Sequence, residues 1–261
     1  MDPARELLET LGQATREYCE GERLALLFSG GLDSALIARL ARDYCPLQLY
    51  TVGVKGAHDL KVSEETADQL QIPWSKVVVS EREIIDSLPR LSNIIQTENP
   101  LILSFEMPLY LISSRCEERL LITGQGADEL FAGYARYQAM GDNELRANLE
   151  NDLRELLDVG IKREKAVAVQ NEKELRYPYL HPKVIDFARS LPIALLINGN
   201  SRKILLREAA GLLDLKDVAE RPKKAAQYGS GIMKVMKAKA KSENLTMKAL
   251  IRSLKDEGGA V

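Results

Sequence analysis

Residues 24–40 read LALLFSGGLDSALIARL, and this stretch decides the fold. The apolar run at 24–28 is typical of a buried strand, and a helical pattern follows the polar segment at 29–34. Two adjacent glycines between a strand and a helix allow a tight turn whose backbone N–H groups can bind an anion. The stretch therefore predicts a phosphate-binding loop at the end of a parallel strand.

Asp33 distinguishes this loop from Walker-type phosphate loops, which carry a lysine. A carboxylate would repel a phosphate unless a divalent cation lies between them, and carboxylate and phosphate oxygens are the usual ligands of Mg²⁺. Ser29 and Ser34 can donate hydroxyl hydrogen bonds to phosphate oxygens. The alternative is a plain strand-to-helix turn in which Asp33 only favours the start of the helix.

Strands and helices alternate beyond this loop. Further strand patterns lie at 47–54, 76–79 and 120–123, and helical patterns separate them. This alternation predicts an α/β fold with a doubly wound parallel sheet. After about Ala135 no strand is predicted, and helices are expected at 144–157, 183–190, 201–212 and 231–254. We therefore expect an N-terminal helix in residues 1–20, an α/β core in 21–140 and a helical region in 141–261 that packs on the core.

A second segment, LITGQGADELFAGY at residues 121–134, also follows a predicted strand and begins a helix. Because the carboxyl ends of parallel strands lie at one edge of a sheet, Asp33 and Asp128 are expected to converge. Two such carboxylates can share one or two Mg²⁺ ions around a triphosphate. The alternative is that Asp128 and Glu129 only stabilise a helix dipole.

These segments resemble a known group of enzymes. The hexapeptide SGGLDS at 29–34 is similar to the signature of the PP-loop ATP pyrophosphatases, and the segment at 121–134 resembles that of asparagine synthetases within this superfamily. Further segments resemble the same family: MPLYL at 107–111, RYPYL at 176–180, RKILLRE at 202–208 and ERPKK at 220–224. The resemblance implies that ATP is cleaved between its α and β phosphates, that a substrate carboxylate is activated as acyl-AMP, and that a nitrogen nucleophile then displaces AMP.

The resemblance also implies roles for individual residues. Pyrophosphate and Mg²⁺ would be bound by Ser29, Gly30, Gly31, Asp33 and Ser34, and the metal site would be completed by Asp128 with Glu129. The nucleotide would be bordered, largely through backbone groups, by Leu27, Val52, Thr123 and Gly124. Lys203 would stabilise the negative charge that develops on pyrophosphate; the alternative is a solvated lysine on an amphipathic helix. Weaker candidates for a similar role are Arg221, Lys223 and Lys224.

The sequence departs from the family at Gln125, where a glutamate that handles the proton of ammonia is expected. An amide cannot accept that proton as a general base, so amidation is in question unless another group such as Glu129 or Glu106 accepts it. Only a short helix precedes the phosphate loop, and we expect no glutaminase activity within this chain. The nitrogen would come from ammonia, a separate glutaminase subunit or an amine substrate.

Composition excludes several other classes of protein. The 261 residues carry a net charge of −2 with 45% hydrophobic residues, which argues against a general nucleic-acid or membrane-surface role. Three scattered cysteines and a polar N-terminus favour a cytoplasmic protein. The resemblance implies that its substrate is a small-molecule carboxylate. Assembly into a homo-oligomer is left open. The alternatives are a β-lactam-synthetase-like or tRNA-modifying adenylating enzyme, and a non-catalytic ATP- or AMP-binding module.

Overall fold

A five-stranded parallel sheet forms the centre of the computed structural model, which describes residues 2–19, 21–199, 201–221 and 229–258. In chain order the strands are β1 (Leu24–Leu27), β2 (Leu47–Val54), β3 (Trp74–Val79), β4 (Leu120–Ile122) and β5 (Glu174–Arg176). Their order across the sheet is β3-β2-β1-β4-β5. The order reverses between β1 and β4, and in such sheets ligands bind at the carboxyl ends of the strands beside this switch point.

Helices cover both faces of the sheet. In chain order they are α1 (Pro3–Cys19), α2 (Leu32–Ala41), α3 (His58–Leu70), α4 (Glu81–Ile94), α5 (Pro100–Ser113), α6 (Ala127–Leu130), α7 (Asp142–Glu155), α8 (Ile161–Gln170), α9 (Pro182–Ser190), α10 (Ile204–Leu212), α11 (Lys216–Glu220), α12 (Ile232–Ser242) and α13 (Met247–Gly258). One hydrophobic core joins the sheet to α1, α2, α3, α9 and α10, and the other joins it to α4, α5, α8, α12 and α13. No helix among the described residues is long and apolar enough to cross a membrane.

Local sequence explains why several of these elements begin where they do. Asp2 Oδ1 accepts a hydrogen bond from the Ala4 N–H at 3.1 Å, and Pro3 occupies the first helical position of α1. The short strands β1 and β4 have the wholly apolar sequences LALL and LLI, as expected for strands that helices cover on both faces. They are almost fully buried. The doubly wound α/β fold predicted from the sequence is therefore confirmed.

The expectation that strands end after Ala135 is wrong. β5 pairs with β4 through Leu121↔Leu175, and a two-stranded hairpin joins β6 (Ile197–Asn198) to β7 (Ser201–Arg202). β5 gave no recognisable pattern because it has only three residues and a single apolar side chain between two charged ones. Residues 141–261 are thus not wholly helical, since they supply one strand of the central sheet.

Three predicted helix boundaries also differ from the structure. α10 begins at Ile204 rather than at residue 201, because β7 ends at Arg202 and Lys203 has a left-handed φ of 56°. The single helix predicted at 231–254 is two helices, α12 and α13, separated where Asn244 has a φ of 56°. The helix predicted at 144–157 spans α7 and continues through a π-helical turn, Leu156–Gly160, into α8.

Candidate active site

Two carboxylates occupy equivalent positions at the carboxyl edge of the sheet. Asp33 is the second residue of α2, which follows β1, and Asp128 is the second residue of α6, which follows β4. β1 and β4 are paired neighbours, so the two helix N-termini lie side by side. The partial positive charge of each N-terminus stabilises the carboxylate that it carries. The structure thus brings together the two aspartates that the sequence singled out.

Lys203 joins these two carboxylates. Its Nζ lies 2.6 Å from both carboxylate oxygens of Asp33 and 2.7 Å from Asp128 Oδ1. The lysine side chain is only 3% exposed, whereas each aspartate is 23% exposed. Burial by itself would lower the pKa of Lys203, but the charges and hydrogen bonds of Asp33 and Asp128 outweigh it and raise that pKa above its usual value. The two carboxylates therefore favour the charged form of the Lys203 side chain.

The backbone around this triad of Asp33, Asp128 and Lys203 is arranged to admit it. Gly133 passes so close that a Cβ atom there would lie 1.7 Å from Asp128 Oδ1 and 2.3 Å from Lys203 Cε. Arg202 Nη1 donates to the Gly133 carbonyl at 2.6 Å, and this hydrogen bond joins the residue that precedes Lys203 to the Gly133 backbone. Gly133, within the segment at 121–134, is thus required for space, which the sequence alone did not show.

The phosphate loop packs against α3. Gly30 has a φ of 66°, and a Cβ atom there would lie 2.8 Å from backbone atoms of Ser63. The Gly30 carbonyl accepts from Thr66 Oγ1 at 3.2 Å and from Arg221 Nη1 at 3.2 Å, and Arg221 also donates to Thr66 Oγ1 at 2.6 Å. Arg221, a weak candidate from the sequence, therefore contacts the loop through the Gly30 carbonyl oxygen.

The hydroxyl groups of the loop point toward one another. Ser29 Oγ and Ser34 Oγ are 3.3 Å apart, and Ser34 Oγ also donates to the Gly31 carbonyl at 3.2 Å. Tyr179 OH donates to the Asp33 carbonyl at 3.3 Å. The loop is therefore shaped by its own side chains and by a tyrosine that follows β5, which sequence reasoning did not connect with it.

The residues expected to border the nucleotide lie at the strand ends. Leu27 ends β1, Val52 lies two residues before the end of β2, and Thr123 and Gly124 directly follow β4. Thr51, the neighbour of Val52, donates to the Phe28 carbonyl at 2.6 Å and so ties β2 to the start of the loop. The sequence did not predict this contact of its side chain.

Other predicted groups have contacts outside the triad. Glu129 Oε1 accepts from Tyr134 OH at 2.5 Å, and burial raises the pKa of Glu129. Gln125 is partly exposed, and its backbone N–H donates to Thr123 Oγ1 at 3.2 Å. Lys223 and Lys224 lie outside the described residues. Asp33 and Asp128 thus share the Lys203 ammonium group, whereas the Glu129 carboxylate contacts Tyr134.

The pair of aspartates fits a magnesium ion bound together with phosphate. Two carboxylates and one ammonium group leave one excess negative charge at the site. In the part of the chain that the structure describes, no group of three or more His, Cys, Asp or Glu side chains could hold a metal alone. A magnesium ion held by Asp33 and Asp128 would therefore take its remaining ligands from phosphate oxygens or water.

The fold and the site define a class of protein: doubly wound α/β proteins with a glycine loop at the switch point of the sheet. The family model described as asparagine synthase matches residues 6–147 and 138–253, and the chain belongs to this family.

Individual relatives agree with this assignment. The chain is 32% identical over 268 residues to "Putative asparagine synthetase (glutamine-hydrolyzing) 1" of Methanocaldococcus jannaschii. The alignment covers 88% of this chain and 50% of that relative. It is 29% identical over 228 residues to the asparagine synthetase (glutamine-hydrolyzing) of Homo sapiens, covering 82% of this chain and 40% of the relative. The chain thus spans at most about half the length of these relatives. Among solved structures, the NMN synthetase of Francisella tularensis aligns with 98% of this chain and 92% of its own at 14% identity and a TM-score of 0.46.

Proposed function

We propose that this chain is an ATP-dependent carbon–nitrogen ligase that activates a small-molecule carboxylate as acyl-AMP, releases pyrophosphate and transfers the acyl group to a nitrogen nucleophile. The observation that carries the proposal is the Lys203 ammonium group held between Asp33 and Asp128 beside the glycine loop. Membership of the asparagine synthase family supports the same activity.

The loop residues have complementary roles in this proposal. Pyrophosphate is held by Ser29, Gly30, Gly31 and Ser34 through backbone N–H and hydroxyl donors. Asp33 and Asp128 would hold Mg²⁺, which as a Lewis acid would neutralise charge on the phosphate oxygens. Glu129 stays a predicted ligand of that ion. The backbone at Leu27, Val52, Thr123 and Gly124 borders the nucleotide.

Lys203 supplies a fixed positive charge where the leaving group departs. When a substrate carboxylate oxygen attacks the α-phosphorus, the bond to the β-phosphate oxygen breaks and negative charge grows on pyrophosphate. Because its pKa is raised, Lys203 acts as a charge stabiliser and keeps its proton. Its burial places this charge in a region of low dielectric constant, where the interaction is stronger than in water.

The nitrogen side of the reaction is less determined than the ATP side. Ammonia, the product of a separate glutaminase subunit, or an amine substrate could each supply the nucleophile. Gln125 favours a second candidate function, an adenylating enzyme of the β-lactam-synthetase-like or tRNA-modifying kind, because an amide cannot act as a general base toward ammonia. Either enzyme would work in the cytoplasm, and neither calls for a membrane.

ATP–pyrophosphate exchange tests the adenylation step directly. The protein is incubated with Mg²⁺, ATP and labelled pyrophosphate across a panel of carboxylates that includes aspartate, other amino acids and a blank. Asp33→Asn is the inactivating variant, and Asp43→Asn is the matched control because Asp43 lies at the far end of α2 in contact with Arg39. We expect exchange that depends on one carboxylate, persists in Asp43→Asn and is lost in Asp33→Asn. Exchange that survives Asp33→Asn, or ATP binding without exchange for any carboxylate, would contradict the proposal.

A further inference from the structure

The Lys203 ammonium group occupies the space between the two carboxylates that are expected to share a metal ion. Its Nζ is 2.6 Å from both carboxylate oxygens of Asp33 and 2.7 Å from Asp128 Oδ1. A magnesium ion takes carboxylate oxygens at about 2.0–2.1 Å, so an ion that bridges these carboxylates would need the same space. Lys203 and such an ion therefore exclude each other.

The folded chain holds the lysine in this position. Lys203 has a left-handed φ of 56° and lies between the end of β7 and the start of α10. Gly133 leaves room for the side chain, because a Cβ atom there would lie 2.3 Å from Lys203 Cε, and Arg202 Nη1 donates to the Gly133 carbonyl at 2.6 Å. The Lys203 side chain is 3% exposed, so its charge is shielded from water. The contact with the two carboxylates is thus part of the packed structure.

Neighbouring charges weaken the attraction of this site for a free divalent cation. Arg207 Nε donates to the Arg202 carbonyl at 2.9 Å, so these two arginines lie together beside Lys203. Burial and the charge of Arg202 lower the pKa of Arg207, and the charge of Asp33 opposes them, so Arg207 lies within electrostatic reach of Asp33. The charge of Lys203 likewise acts on the Glu129 carboxylate. With the second aspartate of the triad, three carboxylates face three cationic side chains, and these six charges balance.

The phosphate groups of a nucleotide would change this balance. Asp33 belongs both to the glycine loop and to the N-terminus of α2, so Lys203 already contacts the element that is expected to bind phosphate. Phosphate oxygens are an alternative partner for the ammonium group. They are also preferred ligands of Mg²⁺, which usually binds to one or two carboxylates together with substrate phosphates. Binding of phosphate and release of the carboxylates by Lys203 are therefore expected to occur together.

We propose that Lys203 competes with free divalent cations for Asp33 and Asp128, and that a cation reaches both carboxylates only together with the phosphate groups of a nucleotide. The proposal rests on the ATP-dependent function given above and adds the order in which the metal ion and the nucleotide bind. Without nucleotide, the ion pairs of Lys203 stay intact. With nucleotide, the ammonium group turns from the carboxylates to the phosphate groups and stays there as the positive charge beside the leaving pyrophosphate.

Titration with Mn²⁺ tests the competition, because Mn²⁺ takes the same oxygen ligands as Mg²⁺ and its free aqueous form is measured by electron paramagnetic resonance. The wild type is compared with Lys203→Met and with the double variant Asp33→Asn/Lys203→Met. The matched control is Lys183→Met, which replaces an exposed lysine that pairs with Glu17. Each protein is titrated without nucleotide. The wild type and Asp33→Asn are also titrated with α,β-methylene-ATP, which cannot be cleaved between its α and β phosphates, and the analogue alone is the reference.

We expect Lys203→Met to gain one Mn²⁺ site that is at least ~10-fold tighter than any site in the wild type or in Lys183→Met, because one positive charge beside the ion is removed. The double variant should lack this site. Equal Mn²⁺ affinity of the wild type and Lys203→Met without nucleotide would overturn the inference. A new site that persists in the double variant would lie elsewhere and would overturn it too.

The wild type carries the test if Lys203→Met does not fold. It should bind Mn²⁺ more tightly than the analogue alone does when the analogue is present, and Asp33→Asn should weaken this binding at least ~10-fold. Tight binding of Mn²⁺ without nucleotide that is lost in Asp33→Asn would overturn the inference, as would the absence of any binding beyond that of the analogue. Because these titrations need no turnover, failure of pyrophosphate exchange would remove the proposed function and leave the competition for Mn²⁺ measurable.

Discussion

Removing the Lys203 ammonium group should destabilise the ligand-free protein and abolish adenylation. In Lys203→Met the carboxylates of Asp33 and Asp128, which now contact one nitrogen at 2.6–2.7 Å, would face each other without a countercharge. Breaking a buried ion pair by removing one partner costs roughly 3–5 kcal/mol, and the partial exposure of the aspartates places the expected cost at the low end of that range. A loss of about 3 kcal/mol corresponds to about 6–12 °C in Tm for a chain of this size.

Urea unfolding and thermal melting in EDTA measure this loss. Lys183→Met is the control, because Lys183 forms an exposed ion pair with Glu17 and should change stability by at most ~1 kcal/mol. Adding Mg²⁺ should restore part of the stability of Lys203→Met, since a divalent cation can take the place of the ammonium group between the carboxylates. A double-mutant cycle with Asp128→Asn should show strong coupling to Lys203. Equal stability of Lys203→Met and the wild type in EDTA would refute the reasoning.

Three further predictions concern the surroundings of the site. Gly133→Ala should lower stability and abolish pyrophosphate exchange, because its Cβ would overlap Asp128 and Lys203. Gly141→Ala is the control: a Cβ at position 141 would have no neighbour within 4 Å, and exchange should be unchanged. Wild-type exchange in Gly133→Ala would contradict the described packing. Arg221→Lys should raise the KM for ATP by about tenfold, because it removes one charged hydrogen bond to the Gly30 carbonyl. An unaltered KM would show that this contact does not shape the loop. Folding raises the pKa of Glu164 to about 8, so the folded state binds more protons than the unfolded state, and this group makes the free energy of unfolding fall as pH rises from about 5 to 8. Urea unfolding across that range should show a shallower fall in Glu164→Gln than in the wild type. Equal slopes would contradict the pKa shift.

The sequence was sufficient to predict where the site lies, because strand ends are marked by composition. Asp33 and Asp128 each follow a short buried strand, and parallel strands present their carboxyl ends at one edge, so their convergence followed from the pattern. The contact of Lys203 with both aspartates could not be derived in this way. It depends on a left-handed backbone at Lys203 and on the absence of a side chain at Gly133, which are properties of the folded chain.

The remaining failures have a similar physical origin. β5 escaped detection because three residues with one apolar side chain carry no periodicity, although the chain that follows this strand places Tyr179 at the site. The partners of the Gly30 carbonyl, Thr66 and Arg221, lie far apart in sequence and are joined only by tertiary packing. His181 follows the RYPYL segment, and its Nδ1 caps α9 by accepting a hydrogen bond from the Lys183 N–H at 3.3 Å, a contact that no local pattern indicated.

Identification of the products formed from ATP tests the central claim most directly. The purified protein is incubated with Mg²⁺, ATP, the activating carboxylate and a nitrogen donor, and the phosphorus-containing products are followed by ³¹P NMR with Asp33→Asn as the control. The account predicts AMP and pyrophosphate in equal amounts, formed by the wild type and absent in the variant. Formation of ADP and inorganic phosphate would contradict it.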